Sequence, residues 1–438
     1  MEPTEKFSSR LAWTSATILT LVSILSFADR QIPSIMIPEL KADLILSDTQ
    51  IGFLFGTVFA IFFGIASLIF GWLADKANRK TVLFLAILGW SVLTGLCGLA
   101  QQFWDLAIFR IGVGIGEAAL GPIAYSVMAG FFPKEKLPVA LGIFGTAPFL
   151  GSALAAWGGA ALITNFSILK IYLGPLADLA DWRLTFLTFG VIGLIISLSV
   201  KILPIPKRKL VPNTEKIYLA PYLKKAWKFL FLMFLGVTIT GLVGYAVLAW
   251  GIEILVRVHE IPKAVAGKYF ALFNIIFGIG GSLGAGLIAS SLIKKGILNA
   301  HLRLAAFMVI LIWLSLIPFT IGSSITLSLA GLAGMILFMS CGPGLYGSAI
   351  QNASPDQLRG RTASFYFISA NVVGFALGPF SLGFLNDYIF NAENGYDKTG
   401  IRYSMFWLGI ILYPIAVMCF FKASKLFLPL QREVEDSS

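Results

Sequence analysis

The chain has 438 residues, 57% of them hydrophobic and only 13% charged, with a formal net charge of +11. That balance lies far from the charged, alternating make-up of soluble domains and points to a polytopic membrane protein. The positive charge does not indicate nucleic acid, because Arg-rich arms with interleaved aromatics are absent.

About 20 apolar residues cross a bilayer. Twelve runs of that length are expected, near 12–36, 50–73, 80–100, 103–130, 137–163, 183–203, 228–252, 264–293, 303–322, 326–351, 361–386 and 402–421. They are continuous rather than alternating, which predicts helices and excludes a barrel. With the N-terminus inside, most of the 33 Lys and Arg fall on the cytoplasmic side, so both termini are expected there. The first run is too long for a signal-peptide core and reads as an uncleaved span.

In chain order, Asp29 and Arg30 interrupt the first run. Each charge costs at least ~2.5–3.5 kcal/mol at a membrane centre, so both should face a water-filled cavity, unless they sit near an interface and snorkel. Neighbouring positions differ by ~100° around a helix, so the two should reach different partners. The turn Gly71-Trp72-Leu73-Ala74-Asp75-Lys76-Ala77-Asn78-Arg79-Lys80 follows the second run. Gly71 would allow close helix approach, and Asp75 suits the positive end of a neighbouring helix. Lys76, Arg79 and Lys80 also satisfy the positive-inside rule, and Asn78 is taken to tolerate positive φ. The fourth run holds Arg110 and Glu117 on one helical face, seven residues and ~10 Å apart, with Gly112, Gly114 and Gly116 between them. Either a proton or substrate path or a structural ion-pair network would explain these four charges.

A basic, Pro-containing segment, 204–227, separates residues 1–203 from 228–438, each with six runs. An amphipathic surface helix around 218–227 and contact with anionic headgroups are expected in it. The halves look related, since Gly71–Lys80 aligns without gaps on Gly286–Lys295, with Ser290 in place of the acid. Pro133-Lys134-Glu135-Lys136 falls opposite Pro355-Asp356-Gln357-Leu358 in the same way. Two six-span repeats with a site at their interface would result. In the second half, Asn274, Tyr346, Gln351 and Asn371 are candidates to line a cavity or to bond helix to helix. Glu253, Arg257, His259 and Glu260 read as solvated charge at a helix end. Cys97, Cys341 and Cys419 read as small core residues, without metal-ligand spacing.

The turn at 71–80 resembles the signature loop of the major facilitator superfamily of secondary transporters, through Gly71, Leu73, Asp75, Arg79 and Lys80. The resemblance implies twelve helices in two six-helix bundles with pseudo-twofold symmetry, and a cytoplasmic gate at Gly71, Asp75, Lys76 and Arg79. Further residues resemble the Spinster branch: Asp29-Arg30, Arg110 to Pro122, Phe132-Pro133, Trp250 and Leu255-Val256-Arg257-Val258-His259. Ser26 and Gly130 depart from it, where the branch commonly has Asn and Asp. The branch is associated with lysophospholipids and sphingolipid-like amphiphiles. The likeness implies proton coupling at Asp29 and Glu117, with Arg30 and Arg110 as their partners or as headgroup ligands.

The expected function is therefore alternating-access transport of an amphiphile, with a small organic anion as the alternative and a channel or membrane receptor as the rival of another class. An enzyme is disfavoured, since no nucleotide loop, dinucleotide fingerprint or metal set occurs. No cofactor is expected beyond a proton gradient, and no partners beyond substrate, protons and membrane lipid. A monomer in a bacterial inner membrane fits this reading.

Overall fold

In a bilayer the N–H and C=O groups of an apolar run have only one another as partners, so each run closes into a helix. The computed structural model describes residues 9–132, 137–170, 174–205, 219–355 and 368–435, together with Leu358, Thr362, Phe365 and Tyr366. Eleven helices in it are long and apolar enough to cross a membrane: Arg10–Ile35, Asp48–Leu73, Arg79–Cys97, Phe103–Met128, Ala140–Ile163, Asp181–Ile202, Pro221–His259, Lys263–Lys294, Ala300–Ile321, Ile325–Asn352 and Gly400–Gln431. The run expected at 361–386 is helical over Ile368–Val373 and Gly374–Tyr388, while part of its start lies outside the described residues. Counting that helix eleventh, we number the spans one to twelve in chain order. No strand occurs among the described residues.

Polar residues set where the helices begin. Ser47 accepts from the N–H of Gln50 at 3.1 Å while the Gln50 side chain accepts from the N–H of Ser47 at 3.0 Å, a capping box that starts span two. Asn78 accepts from the N–H groups of Lys80 and Thr81 at 3.0 and 3.3 Å and starts span three. Its φ of −71° corrects the expectation of a positive-φ turn. The polar side chain at this position is used as a helix cap, and the backbone stays extended.

Span seven also differs from expectation. One 41-residue helix runs Leu219–His259, so residues 219–227 are its first turns rather than a separate surface helix. Tyr222 explains the continuity: it is buried, and its hydroxyl meets the Ala353 carbonyl and the Ser354 hydroxyl, both at 3.1 Å.

The chain divides into two compact units, Met1–Leu46 with Val58–Pro212, and Ser47–Thr57 with Asn213–Ser438. In the first, span three lies between spans four and six. A Cβ on Gly190 would come within 2.8 Å of the Gly95 backbone, so Gly at that position lets spans three and six touch. In the second, span twelve packs on spans seven and nine.

The two units share devices beyond the aligned sequence segments. Arg183, at the start of span six, donates to the carbonyls of Ala100 and Gly98 past the end of span three, at 2.5 and 3.4 Å. Arg402, at the start of span twelve, donates in the same way to Thr320 and Gly322 at the end of span nine, at 2.5 and 3.0 Å. Each guanidinium satisfies carbonyls that a helix end leaves open. π-Helical turns occur at Phe53–Val58, Leu154–Gly159, Asn274–Gly278 and Ile368–Val373. These fall in spans two, five, eight and eleven, the middle helix of each three-helix group.

Candidate functional site

The first unit buries two acids and two arginines from spans one and four. Asp29, Arg110 and Glu117 are 2%, 0% and 1% exposed. Arg30 is 17% exposed at its side chain. The pairs cross between the helices. Arg110 Nη1 lies 3.4 Å from Asp29 Oδ1 and 3.5 Å from the Asp29 carbonyl, while Arg30 Nε donates to Glu117 Oε2 at 2.5 Å. Because Asp29 and Arg30 are adjacent on one helix, each points to a different end of the Arg110–Glu117 face.

Hydroxyls and rings complete the shell. Ser26, one turn before Arg30, donates to Glu117 Oε2 at 2.7 Å and accepts from Arg30 Nη2 at 3.3 Å. Thr94 of span three donates to Asp29. The Arg30 guanidinium lies over the rings of Phe63, Phe27 and Phe59, at 4.4, 4.8 and 5.2 Å from their centroids. Arg110 lies 5.4 Å from the Phe59 centroid, so one ring faces both cations.

The quartet carries two charges of each sign and is not saturated. Arg110 Nε and Nη2 and Glu117 Oε1 are buried without a hydrogen-bond partner. Leaving such groups unmet costs about 1–3 kcal/mol each, more when charged, so two donors and an acceptor stand ready for water or a polar ligand group.

Ser26, Thr94 and the three Phe residues escaped the sequence reading. Ser26 drew notice only as a departure from a pattern, although its position four before Arg30 places both on one face. For Thr94 no signal exists: intramembrane Ser and Thr usually bond their own helix, as Thr20 does to Ala16 and Ser91 to Ile87.

Other expected residues behave differently. Gly71 has nothing within 4 Å of a Cβ placed on it, so among the described residues it mediates no close helix contact, contrary to expectation. The side chains of Asp75 and Lys76 lie outside the described part, and Arg79 is buried at the first turn of span three. Asn274 is buried and donates to the Phe270 carbonyl of its own helix at 2.9 Å. Tyr346 is buried and stacked on Phe420, with centroids 4.9 Å apart. Gln351 is exposed near the end of its helix, and Asn371 lies in a π turn with its side chain outside the described part. The segment Lys134–Lys136 and its counterpart Asp356-Gln357 also lie outside the described residues.

The group read as solvated charge needs correction. Glu253 is 3% exposed and accepts from Arg257 Nε at 2.6 Å, and Arg257 also binds Asp48, which is 1% exposed. His259 Nε2 lies 2.7 Å from the Ser328 hydroxyl. Glu260 is exposed and paired with Lys398, whose ammonium holds its carboxyl below the ordinary value, while Arg257 and His259 are half-buried. A helix end looks exposed in sequence, and the burial comes from other segments packed on it.

Residues 19–379 match the family model for the Major Facilitator Superfamily. An "MFS-type efflux pump" of Mycolicibacterium smegmatis is 26% identical over 87% of this chain and 86% of its own length. A hexuronate transporter of Bacillus subtilis is 25% identical over 84% and 86%. A sphingosine-1-phosphate transporter of Xenopus tropicalis is 31% identical over 42% of this chain and 34% of its own. Among solved structures, a bacterial homologue of the human lysosomal transporter Spinster, inward-facing and unoccupied, superposes with a TM-score of 0.82 at 22% identity, over 97% of this chain and 99% of that one.

Proposed function

The chain belongs to the major facilitator superfamily, and on that premise we propose that it is a proton-coupled transporter of an amphiphilic lipid with an anionic or zwitterionic head, such as a lysophospholipid. It is an integral, multi-pass membrane protein of the secondary transporter type.

One observation carries the finer reading: a charge-neutral buried quartet in which Arg110 keeps two donors, and Glu117 one acceptor, without a partner. A proton added to Asp29 or Glu117 leaves one guanidinium uncompensated in a low-dielectric site. That excess charge favours an anionic ligand group, or a state in which the freed arginine finds another partner. Proton and substrate then act on the same balance of charge. The likeness to sphingosine-1-phosphate and Spinster proteins supports the lipid. The N-terminal loop residues Gly71, Asp75, Lys76 and Arg79 would serve the cytoplasmic gate, in a monomer with both termini in the cytoplasm of a bacterial inner membrane. The second reading, a small carboxylate, is supported by the hexuronate relative, since a carboxyl group would meet the same arginines.

The test is uptake into proteoliposomes with and without a pH gradient, comparing a lysophospholipid chain-length series with hexuronates. A lipid substrate should bind more tightly with each methylene, by ~0.8 kcal/mol until its passage is filled, after correction for partition into the membrane. Affinity that is flat along the series, with strong competition from hexuronate, overturns the lipid reading.

A further inference from the structure

Three helices of the second unit are pinned together on the side of the membrane where span seven begins. Phe427 of span twelve is buried there, its ring 6.1 Å from that of Phe229 in span seven and 4.7 Å from that of His301 in span nine. Asn299, just before span nine, donates from Nδ2 to the Ser424 carbonyl and hydroxyl at 3.1 and 3.0 Å. An exposed cation stands beside each of these contacts. Lys228 precedes Phe229, Lys425 follows Ser424, and Arg303 comes two residues after His301. At 1.5 Å of rise per residue, each lies within ~3 Å of its contact along the helix axis, so the three charges share one depth.

The outward faces of the three helices follow one order. Lys224, Trp227, Lys228 and Phe231 fall at i, i+3, i+4 and i+7 and form one exposed stripe on span seven. Met418, Phe421, Lys422 and Lys425 repeat that spacing on span twelve, and Arg303 and Phe307 continue it on span nine. Spans seven and nine begin on this side and span twelve ends on it. Every cation therefore has an apolar or aromatic residue ~4.5–6 Å deeper on its own stripe, three or four residues away. Lys228 Nζ lies 5.7 Å from the Trp227 ring centroid. The helices Leu219–His259 and Gly400–Glu435 are ~62 and ~54 Å long, well beyond a ~30 Å hydrocarbon core, so their ends reach the headgroup layer.

These stretches supply no counter-charge of their own. Residues 219–231, 298–307 and 418–431 hold six Lys and Arg and no Asp or Glu. The matching ends of spans one, three and six in the first unit present less: Arg10 and Lys201 are exposed, Lys80 is half-buried and Arg79 is buried. The positive-inside rule places cations on this side of both units and does not account for a cluster on one of them. Like charges at one depth repel, and an anion relieves them. A soluble anion would leave the aromatic shelf unused, whereas a lipid phosphate uses both layers.

We infer that this corner of spans seven, nine and twelve is a collar for anionic phospholipids, with headgroup phosphates on Lys228, Arg303 and Lys425. The glycerol and upper chains rest on Trp227, Phe231, Phe307 and Phe421. The long lysine and arginine stems lie along that shelf while their charged ends stay at the phosphate level.

Binding is read on the whole protein in detergent, by native mass spectrometry and thermal unfolding, with phosphatidylglycerol against phosphatidylcholine of the same chains. Phosphatidylglycerol should bind about tenfold or more tightly and raise the unfolding midpoint by about 5 °C more. The triple variant Lys228→Gln, Arg303→Gln, Lys425→Gln should lose that preference. Arg10→Gln, Lys80→Gln, Lys201→Gln removes the same charge from the same side of the first unit and should keep it. Trp227→Ala with Phe421→Ala should weaken both lipids alike. Equal losses in the two triple variants reduce the collar to a general attraction for negative charge, and no loss in either places the lipid elsewhere; both results overturn the inference. Soluble glycerol phosphate that stabilises as well as phosphatidylglycerol overturns lipid as the occupant.

Discussion

The buried pair Asp29–Arg110 gives the sharpest test of the charge-balance argument. Removing one member of a buried ion pair strands the other and costs about 3–5 kcal/mol. The structure places this pair toward the low end, since the N–O distance is 3.4 Å and only Nη1 of Arg110 is engaged, although Thr94 and the Asp29 carbonyl also contribute. Asp29→Asn and Arg110→Gln should therefore each cost about 3 kcal/mol, which for a unit of this size lowers the unfolding midpoint by roughly 6–12 °C. Independent losses would add to about 6 kcal/mol. The double variant removes both charges together and should cost no more than either single variant, a coupling of about 3 kcal/mol that is typical of contacting groups. Thermal unfolding of the four proteins in one detergent, followed by intrinsic fluorescence, gives the cycle. Additive losses would show that the two groups do not balance each other, and the proposed coupling of proton to substrate would lose its physical basis.

Glu117→Gln should abolish pH-gradient-driven uptake while substrate binding persists, because the amide keeps shape and cannot cycle a proton; undiminished driven uptake in proteoliposomes would remove Glu117 from the mechanism. Ser26→Ala takes away a 2.7 Å bond to the Glu117 carboxylate, worth about 1.5–3 kcal/mol for a charged acceptor, and should shift the pH dependence of uptake, whereas a merely structural serine would lower stability and leave that profile unmoved. Arg183→Ala and Arg402→Ala should each destabilise by about 2 kcal/mol or more, since each leaves two helix-end carbonyls without their charged donor; equal melting curves for variant and parent would deny the guanidiniums that role.

The sequence by itself determined the class of the protein and most of its helices, because continuous apolar runs in lipid admit one backbone solution. It also singled out Asp29, Arg30, Arg110 and Glu117, since a charge inside such a run is costly wherever it points. Which acid meets which arginine was not legible, as that depends on the rotation of spans one and four about their own axes. Ser26 and Thr94 stayed hidden because a hydroxyl that reaches a neighbouring helix looks the same in sequence as one that bonds its own turn. Asn78 was placed in the right turn with the wrong backbone, because cap and positive-φ roles favour the same residue type. Asp48, Glu253 and Arg257 were the largest loss. Each lies near the end of an apolar run, where water is the default surrounding, and only packing takes them out of it: Arg257 meets Asp48, 209 positions away, and pairs with Glu253 one turn before it. Tertiary structure also decided the four π turns, which leave no period in the chain.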